Sequence, residues 1–321
     1  MNKVLITGIN GGAGSYLAEY IAKNFPEREI WGTARVGQLN KNLAYLKSNL
    51  KMLTCDLCDF SATFKAIRAA KPDVIFHFAS LANVRDSFEN PIAYINNNIN
   101  VTLNLLEAIR TIKTIEDYDP IIMVCSTAEC YSNQTTNDPI DENFPLQPNN
   151  PYAVSKMAQD NLATVYYKSF GLRIIKTRMF TYFNARRADL FASSFAKQII
   201  DIELGKKEIL EHGNLNSVRT IIDVRDAVEA YWKCIERGRV GETYNIGGSE
   251  PISVGGVLEL LKSKAKCEII SREAKHLLRP QDISYQIPNT DKFKAHTGWG
   301  PKYSLNESLD FFLEEVRKNY V

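Results

Sequence analysis

The sequence predicts an α/β fold with a parallel, doubly wound sheet, and three observations carry that prediction. Through the first half, short apolar runs alternate with longer segments of helical period, the pattern of successive β-α units. The run at residues 74–78 is apolar almost throughout, as expected for a strand buried on both faces. The chain opens on a short strand, Val4-Leu5-Ile6-Thr7, followed at once by glycines at 8, 11 and 14.

The elements follow in order. Residues 4–7 read as the first strand and 15–24 as a helix with Leu17, Tyr20 and Ile21 on one face. Strands are expected at 29–33 and 52–54, a helix at 61–70 ended by Lys71-Pro72-Asp73, and a strand at 74–78. A long helix is expected over 92–110 and a strand at 121–125, with Ser126-Thr127 at its end. A helix then runs to about residue 170, followed by a strand at 173–178. The second half is less regular. Helices are expected at 192–204, from 226 through 236, at 254–265 and at 305–318, with strands at 242–247 and 268–270. This predicts two lobes, residues 1–178 and a smaller α/β lobe over 179–321, packed together without a hinge linker.

Bulk properties exclude several classes. A net charge of +2 provides no global field for nucleic acid. No apolar stretch has the length of a membrane span, and the N-terminal strand with its glycines is no signal peptide, so a cytoplasmic location is expected. Of six cysteines, Cys55 and Cys58 form a C-x-x-C, but no second pair or nearby histidine completes a ligand set. Reduced, incidental thiols and no metal site are expected.

Three segments point to chemistry. Gly8, Gly11 and Gly14 stand between a strand and a helix, where a dinucleotide diphosphate must approach backbone N–H groups at a helix N-terminus. Tyr152 and Lys156 are four apart and share a helix face. A nearby ammonium favours a phenolate, so Lys156 is expected to pull the Tyr152 pKa down toward neutrality and suit it to proton transfer at a hydroxyl. Taken alone, that spacing is common by chance. It gains weight from Thr127, at the end of an apolar strand, which would position the reacting hydroxyl or ketone. Glu129, two residues on, could deprotonate a carbon beside a ketone, or could serve as a hydrogen-bond partner or cap. Arg35, at the end of the second strand, could accept a 2′-phosphate, stack on adenine, or face solvent. Asp56 could bind the adenine amino group or sit in a solvated turn. Among the basic residues, Arg186, Arg187, Lys197, Arg219 and Arg279 could clamp an anion such as a sugar diphosphate.

Together these residues resemble the extended short-chain dehydrogenase/reductase family of nucleotide-sugar enzymes, over nearly the whole chain. Thr7, Gly8, Gly11 and Gly14 match its Thr-Gly-x-x-Gly-x-x-Gly, Thr127 its catalytic Ser/Thr, Tyr152 and Lys156 its Tyr-x-x-x-Lys, and His77-Phe78-Ala79-Ser80 its nicotinamide-side loop. Within the family the chain is most similar to the group of GDP-mannose 4,6-dehydratases and GDP-4-keto-6-deoxymannose reductases. The supporting segments are Phe195-Ala196-Lys197-Gln198-Ile199, Gly213-Asn214-Leu215, Asp223-Val224-Arg225-Asp226, Leu278-Arg279-Pro280 and Thr297-Gly298-Trp299.

The resemblance implies a Rossmann-type domain, NAD(H) or NADP(H), a GDP-sugar substrate and a homodimer or homotetramer. It implies that Leu57, Phe78, Ala79 and Met179 join Thr7, the glycines, Arg35, Asp56, Tyr152 and Lys156 at the dinucleotide. It places Thr127, Thr181, Arg187, Lys197, Gly213, Arg219 and Arg279 at the substrate. One departure stands out: the group's Phe-Asn-His reads Phe180-Thr181-Tyr182 here, which removes the usual diphosphate-contacting asparagine. The expected activity is oxidoreduction at C4 of a GDP-linked hexose or heptose, in nucleotide-sugar biosynthesis for surface polysaccharide. The alternatives are a 4,6-dehydratase using Glu129 as base, or a C4 epimerase.

Overall fold

The computed structural model describes residues 2–46, 48, 50–131, 134, 138–279 and 281–320. The first half alternates β1 (Lys3–Thr7), α1 (Gly12–Asn24), β2 (Glu29–Ala34), β3 (Leu50–Thr54), α2 (Phe60–Ala70), β4 (Val74–His77), α3 (Val84–Glu89), α4 (Pro91–Ile115), β5 (Ile121–Thr127), α5 (Pro151–Phe170) and β6 (Arg173–Met179). The second half contains β7 (Thr181–Tyr182), α6 (Phe191–Glu203), β8 (Ile209–His212), β9 (Val218–Ile222), α7 (Val224–Arg237), β10 (Thr243–Ile246), β11 (Pro251–Ser253), α8 (Val254–Ser263), β12 (Ile270–Glu273), β13 (Tyr285–Gln286), α9 (Asp291–Thr297) and α10 (Leu305–Tyr320).

The strands β10-β6-β5-β4-β1-β2-β3 form one sheet in that order, and every pairing in it is parallel. The chain runs from β1 outward to β3, then returns to β4 on the other side of β1. That reversal opens a crevice at the C-terminal ends of β1 and β4, where open α/β sheets bind ligands. Register brings Thr7 opposite His77 and Thr127 opposite Met179, so four site segments reach the same sheet edge.

The expected division at residue 178 marks where the chain first leaves the sheet, but the sheet does not end there. The strand β10 returns to pair with β6, and α7 packs on α1, so the first lobe takes a strand and a helix from the second half. One apolar core accordingly joins Val4, Ile6 and Leu17 to Val228, Tyr231, Trp232 and Ile246. The smaller lobe has its own core, built from α6, α8 and α10 around Phe195, Leu258 and Phe312. Its strands are short: β9 pairs with β7, β11 and β13, and β8 pairs with β12. The expected helix at 92–110 is preceded by a separate turn of helix, α3, and extends to Ile115. Asn90 separates the two because Pro91 cannot donate a backbone hydrogen bond.

Candidate active site

The site is built from the sheet edge upward. Gly8 follows β1 with φ of +66°, a left-handed conformation natural to glycine, and a Cβ there would meet the Ala79 backbone at 3.0 Å. A Cβ at Gly14 would lie 2.6 Å from the Gly8 carbonyl oxygen. Gly11, the N-cap of α1, brings no side chain to that helix end, and Gly11, Gly12, Ala13 and Gly14 line the cleft. Uncapped first-turn N–H groups in a cradle that any side chain would fill fit a dinucleotide diphosphate.

Thr7 does not line this cleft. It is fully buried, and its Oγ1 accepts the N–H groups of Phe78 at 3.1 Å and Ala79 at 3.2 Å. Its own proton then serves His77 Nδ1 at 2.8 Å, leaving the Nε2–H to donate to Thr102 Oγ1 at 2.9 Å. Burial, with Lys156 adding to it, lowers the His77 pKa to about 3, so the imidazole is neutral. Thr7 thus shapes the Phe78–Ala79 turn from below, a correction to its expected place at the dinucleotide.

On the opposite side stand Thr127, Glu129, Tyr152 and Lys156, all lining one cleft of about 870 Å³ with Gly8, Phe78 and Met179. Asn150 caps α5, Pro151 opens it, and Gly171 ends it with φ of +63°. Tyr152 is buried, its ring edge-on to Tyr94 at 6.5 Å, and both it and Thr127 line the cleft. Lys156 Nζ donates to the Cys125 carbonyl at 2.5 Å.

The electrostatics differ from the sequence expectation. Burial raises the Tyr152 pKa well above the ordinary phenol value, and the opposing pull comes first from the Arg187 guanidinium and then from the Thr127 hydroxyl. Lys156 does not lead that pull. Burial lowers its own pKa, and its ammonium is engaged by a backbone carbonyl. Tyr152 is therefore held as a neutral phenol.

Glu129 Oε2 accepts from Asn150 Nδ2 at 3.0 Å, and its backbone N–H donates to Thr127 Oγ1 at 3.3 Å. Arg187 reaches from the loop after β7. It pairs with Asp189 and donates to the Ala82 carbonyl at 2.9 Å. Its Cγ and the Asn184 side chain occupy the place of a side chain at Gly12.

At the far end, the cleft is lined by Thr181, Gly213, Arg219 and Arg279. Arg219 is buried, with donors on the carbonyls of Val218 at 2.9 Å and Ile283 at 2.7 Å; burial lowers its pKa, while Glu129 and Asp282 raise it. Arg279 is exposed, 4.0 Å from Asp282, and Pro280 beside it lies outside the described residues. Gly213 permits a close approach: a Cβ would lie 2.7 Å from the Leu277 carbonyl oxygen.

One expected substrate contact falls elsewhere. Lys197 is exposed on α6 and does not line the cleft. Its Nζ stands 5.6 Å from the Tyr320 ring, while Phe191, Ser194 and Phe195 form the helix face that reaches the cleft. Leu57 is buried against Val101, and Ala79 lies against Gly8. Arg35 and Asp56 are exposed, 3.9 Å apart, with Arg35 donating to Asn97 and Asp56 accepting from Cys58 N at 3.0 Å. Sequence reasoning missed Asn98, which ties Leu81 to Ser155 on α5 through bonds of 2.7–2.9 Å. It also missed Asn150 and Gln286, because no short motif marks them. Tyr182 lines the cleft where the related group has histidine.

The fold and site define a dinucleotide-binding α/β protein with a buried tyrosine, lysine and threonine at the sheet edge. The family model described as GDP-mannose 4,6 dehydratase matches residues 5–311, and the chain belongs to that family. It is 26% identical to a GDP-mannose 4,6-dehydratase of Yersinia enterocolitica, covering 96% of this chain and 91% of that one. It is 27% identical to a GDP-6-deoxy-D-mannose reductase of Pseudomonas aeruginosa, over 76% of this chain and 80% of that one. The structure of a Bacillus cereus UDP-glucuronic acid 4-epimerase, in complex with UDP-glucuronic acid and NAD, superposes with a TM-score of 0.87. That protein is 25% identical, with 99% of this chain and 100% of the other covered. Among the described residues no helix is long and apolar enough to cross a membrane, and no group of three metal-ligating side chains occurs.

Proposed function

We propose that this protein is an NAD(P)-dependent enzyme that moves hydride at C4 of a GDP-linked hexose or heptose. The observation that carries the reading is the meeting of Thr127, Tyr152 and Lys156 with the glycine cradle in one cleft. A bound nicotinamide supplies the hydride acceptor or donor. Tyr152 gives a proton to the C4 oxygen in reduction and takes one in oxidation, and Thr127 orients that oxygen. The GDP assignment is supported by the family model and by the GDP-mannose relatives, with Arg219 and Arg279 as the cations at the far end of the cleft. Incubation with a panel of GDP-sugars and either nicotinamide cofactor, followed by mass analysis, tests the reading. A change of two mass units marks oxidoreduction at C4. No turnover on any GDP-sugar overturns it.

A second reading, 4,6-dehydration initiated by the same C4 oxidation, is favoured by Glu129, whose carboxylate is fixed in the cleft beside Thr127. Glu129 would take the C5 proton once C4 is a ketone and return it to the leaving C6 hydroxyl as water departs. Glu129→Gln separates the two. If only C4 reacts, turnover falls modestly. If dehydration follows, the reduced nicotinamide accumulates, C5 no longer exchanges in D₂O, and no product lighter by water forms. Single-turnover absorbance with mass analysis reads both steps.

Arg35 is proposed as the residue that admits a 2′-phosphate, from its exposed place just past the end of β2. Arg35→Ala is expected to weaken NADPH roughly tenfold more than NADH, the scale of one hydrogen bond to a charged group. Titration of both cofactors checks this, and equal losses for the two would point to adenine stacking.

A further inference from the structure

Asn150 is buried, and each end of its amide has a separate task. Its Oδ1 accepts the Ala153 N–H at 2.8 Å and caps α5. Its Nδ2 donates to Glu129 Oε2 at 3.0 Å and to Asn149 Oδ1 at 3.0 Å. A helix cap requires only the first of these: Ser or Asp would serve as well as Asn. The nitrogen arm is surplus to capping, and it ends on the one carboxylate that stands two residues past Thr127.

We infer that Asn150 is a positioning residue that locks the Glu129 carboxylate to the start of the helix carrying Tyr152 and Lys156. The inference rests on the reading in which Glu129 moves a proton at C5. Glu129 is then held at both ends, by its backbone N–H on Thr127 and by its carboxylate on Asn150, the cap of the helix that carries Tyr152. The group at the C4 oxygen and the group that would act at C5 therefore share one rigid frame. The donor is neutral. An amide orients a carboxylate without cancelling its charge, whereas a lysine or arginine in its place would hold the carboxylate ionised and make it a weaker base. The Glu129 charge reaches Arg219 on β9, whose donors are turned to the carbonyls of Val218 and Ile283.

The test is Asn150→Ser, which keeps a capping oxygen and removes the amide arm, with GDP-mannose as probe in D₂O. Exchange at C5 is expected to fall about 10- to 100-fold, the scale of one hydrogen bond to a charged group. C4 oxidation, read as reduced-nicotinamide absorbance in a single turnover, should stay within a few-fold of the parent. Combining Asn150→Ser with Glu129→Gln should cost no more than Glu129→Gln alone, because both changes act on one group. Asn150→Asp, which caps equally well but sets a second carboxylate against Glu129, should also lose exchange.

Unchanged exchange in Asn150→Ser, or additive losses in the double variant, overturns the positioning role. An equal fall in C4 oxidation and C5 exchange overturns it too, since that pattern belongs to the cap alone. No C5 exchange in the parent, or full exchange in Glu129→Gln, instead removes the proton-transfer role of Glu129 and the proposal with it.

Discussion

Replacing Tyr152 by Phe is expected to lower turnover by roughly 10²–10⁴-fold, the usual contribution of a positioned acid–base group. Fold and cofactor affinity should barely change. The ring keeps its edge contact with Tyr94, and the Thr127 hydroxyl keeps the Glu129 N–H, so no buried donor is stranded. The direction of the Tyr152 shift adds a pH signature. Burial raises the phenol pKa against the pull of Arg187 and Thr127, so the free enzyme holds the proton at neutral pH. In the reducing direction kcat/KM should be flat across neutrality, because the acid form is the populated one. In the oxidising direction the phenolate is required, so kcat/KM should rise with pH by about tenfold per unit while the phenol remains protonated. A Tyr152→Phe enzyme with near-parent turnover would remove the residue from the mechanism. A flat oxidation profile in the parent would show that the phenol is not the titrating base.

What was legible in the sequence was what short segments carry. Strands buried on both faces read as apolar runs, so β1, β4 and β5 stood out, and the glycines after β1 announced a close backbone approach. Thr127, Tyr152 and Lys156 were legible because the end of an apolar strand and a four-residue helical spacing are local signals. Partnerships were not. Asn150 and Glu129 meet through a segment of 20 intervening residues, and neither belongs to a recognisable pair. The influence of Arg187 on Tyr152 depends on how the loop after β7 folds back over Gly12, which no periodicity records. Lys197 was misplaced for a related reason: a helix has two faces, and only tertiary packing shows that Phe195 turns toward the cleft while Lys197 turns outward. The small sheet escaped because β7 and β13 have two residues each, too few to display alternation.

Asp160 is the position where a single change should cost the most stability. It lies one turn beyond Lys156 on α5, fully buried, and meets two cations from β6: Lys176 Nζ at 2.7 Å and Arg178 Nε at 2.9 Å. Arg178 also donates to Tyr131 Oη and to the Glu142 carbonyl, both at 3.0 Å, and its guanidinium stacks 5.0 Å from the Tyr131 ring. Tyr131 in turn bonds Asn245 on β10 at 2.7 Å. The cluster therefore ties α5 to two strands of the sheet. Asp160→Ala would leave two buried cations facing a void, at a cost of about 3–5 kcal/mol. For a chain of this size that should lower Tm by about 5–7 °C. The pH dependence has a definite sign. Burial alone would raise the Asp160 carboxyl, but Arg178 and Lys176 outweigh it and hold the pKa below the ordinary carboxylate range. Its stabilisation is thus complete above an unfolded pKa of about 3.9 and is lost as pH falls through the lower folded value. The gap in Tm between parent and variant should stay constant from neutral pH down to about pH 5 and narrow only in stronger acid. Thermal melts of both proteins across that range check it. A variant melting within about 2 °C of the parent at pH 7 would show that Tyr131, the Glu142 carbonyl and Thr164, whose Oγ1 accepts from Lys176 Nζ at 2.6 Å, suffice to hold the two cations.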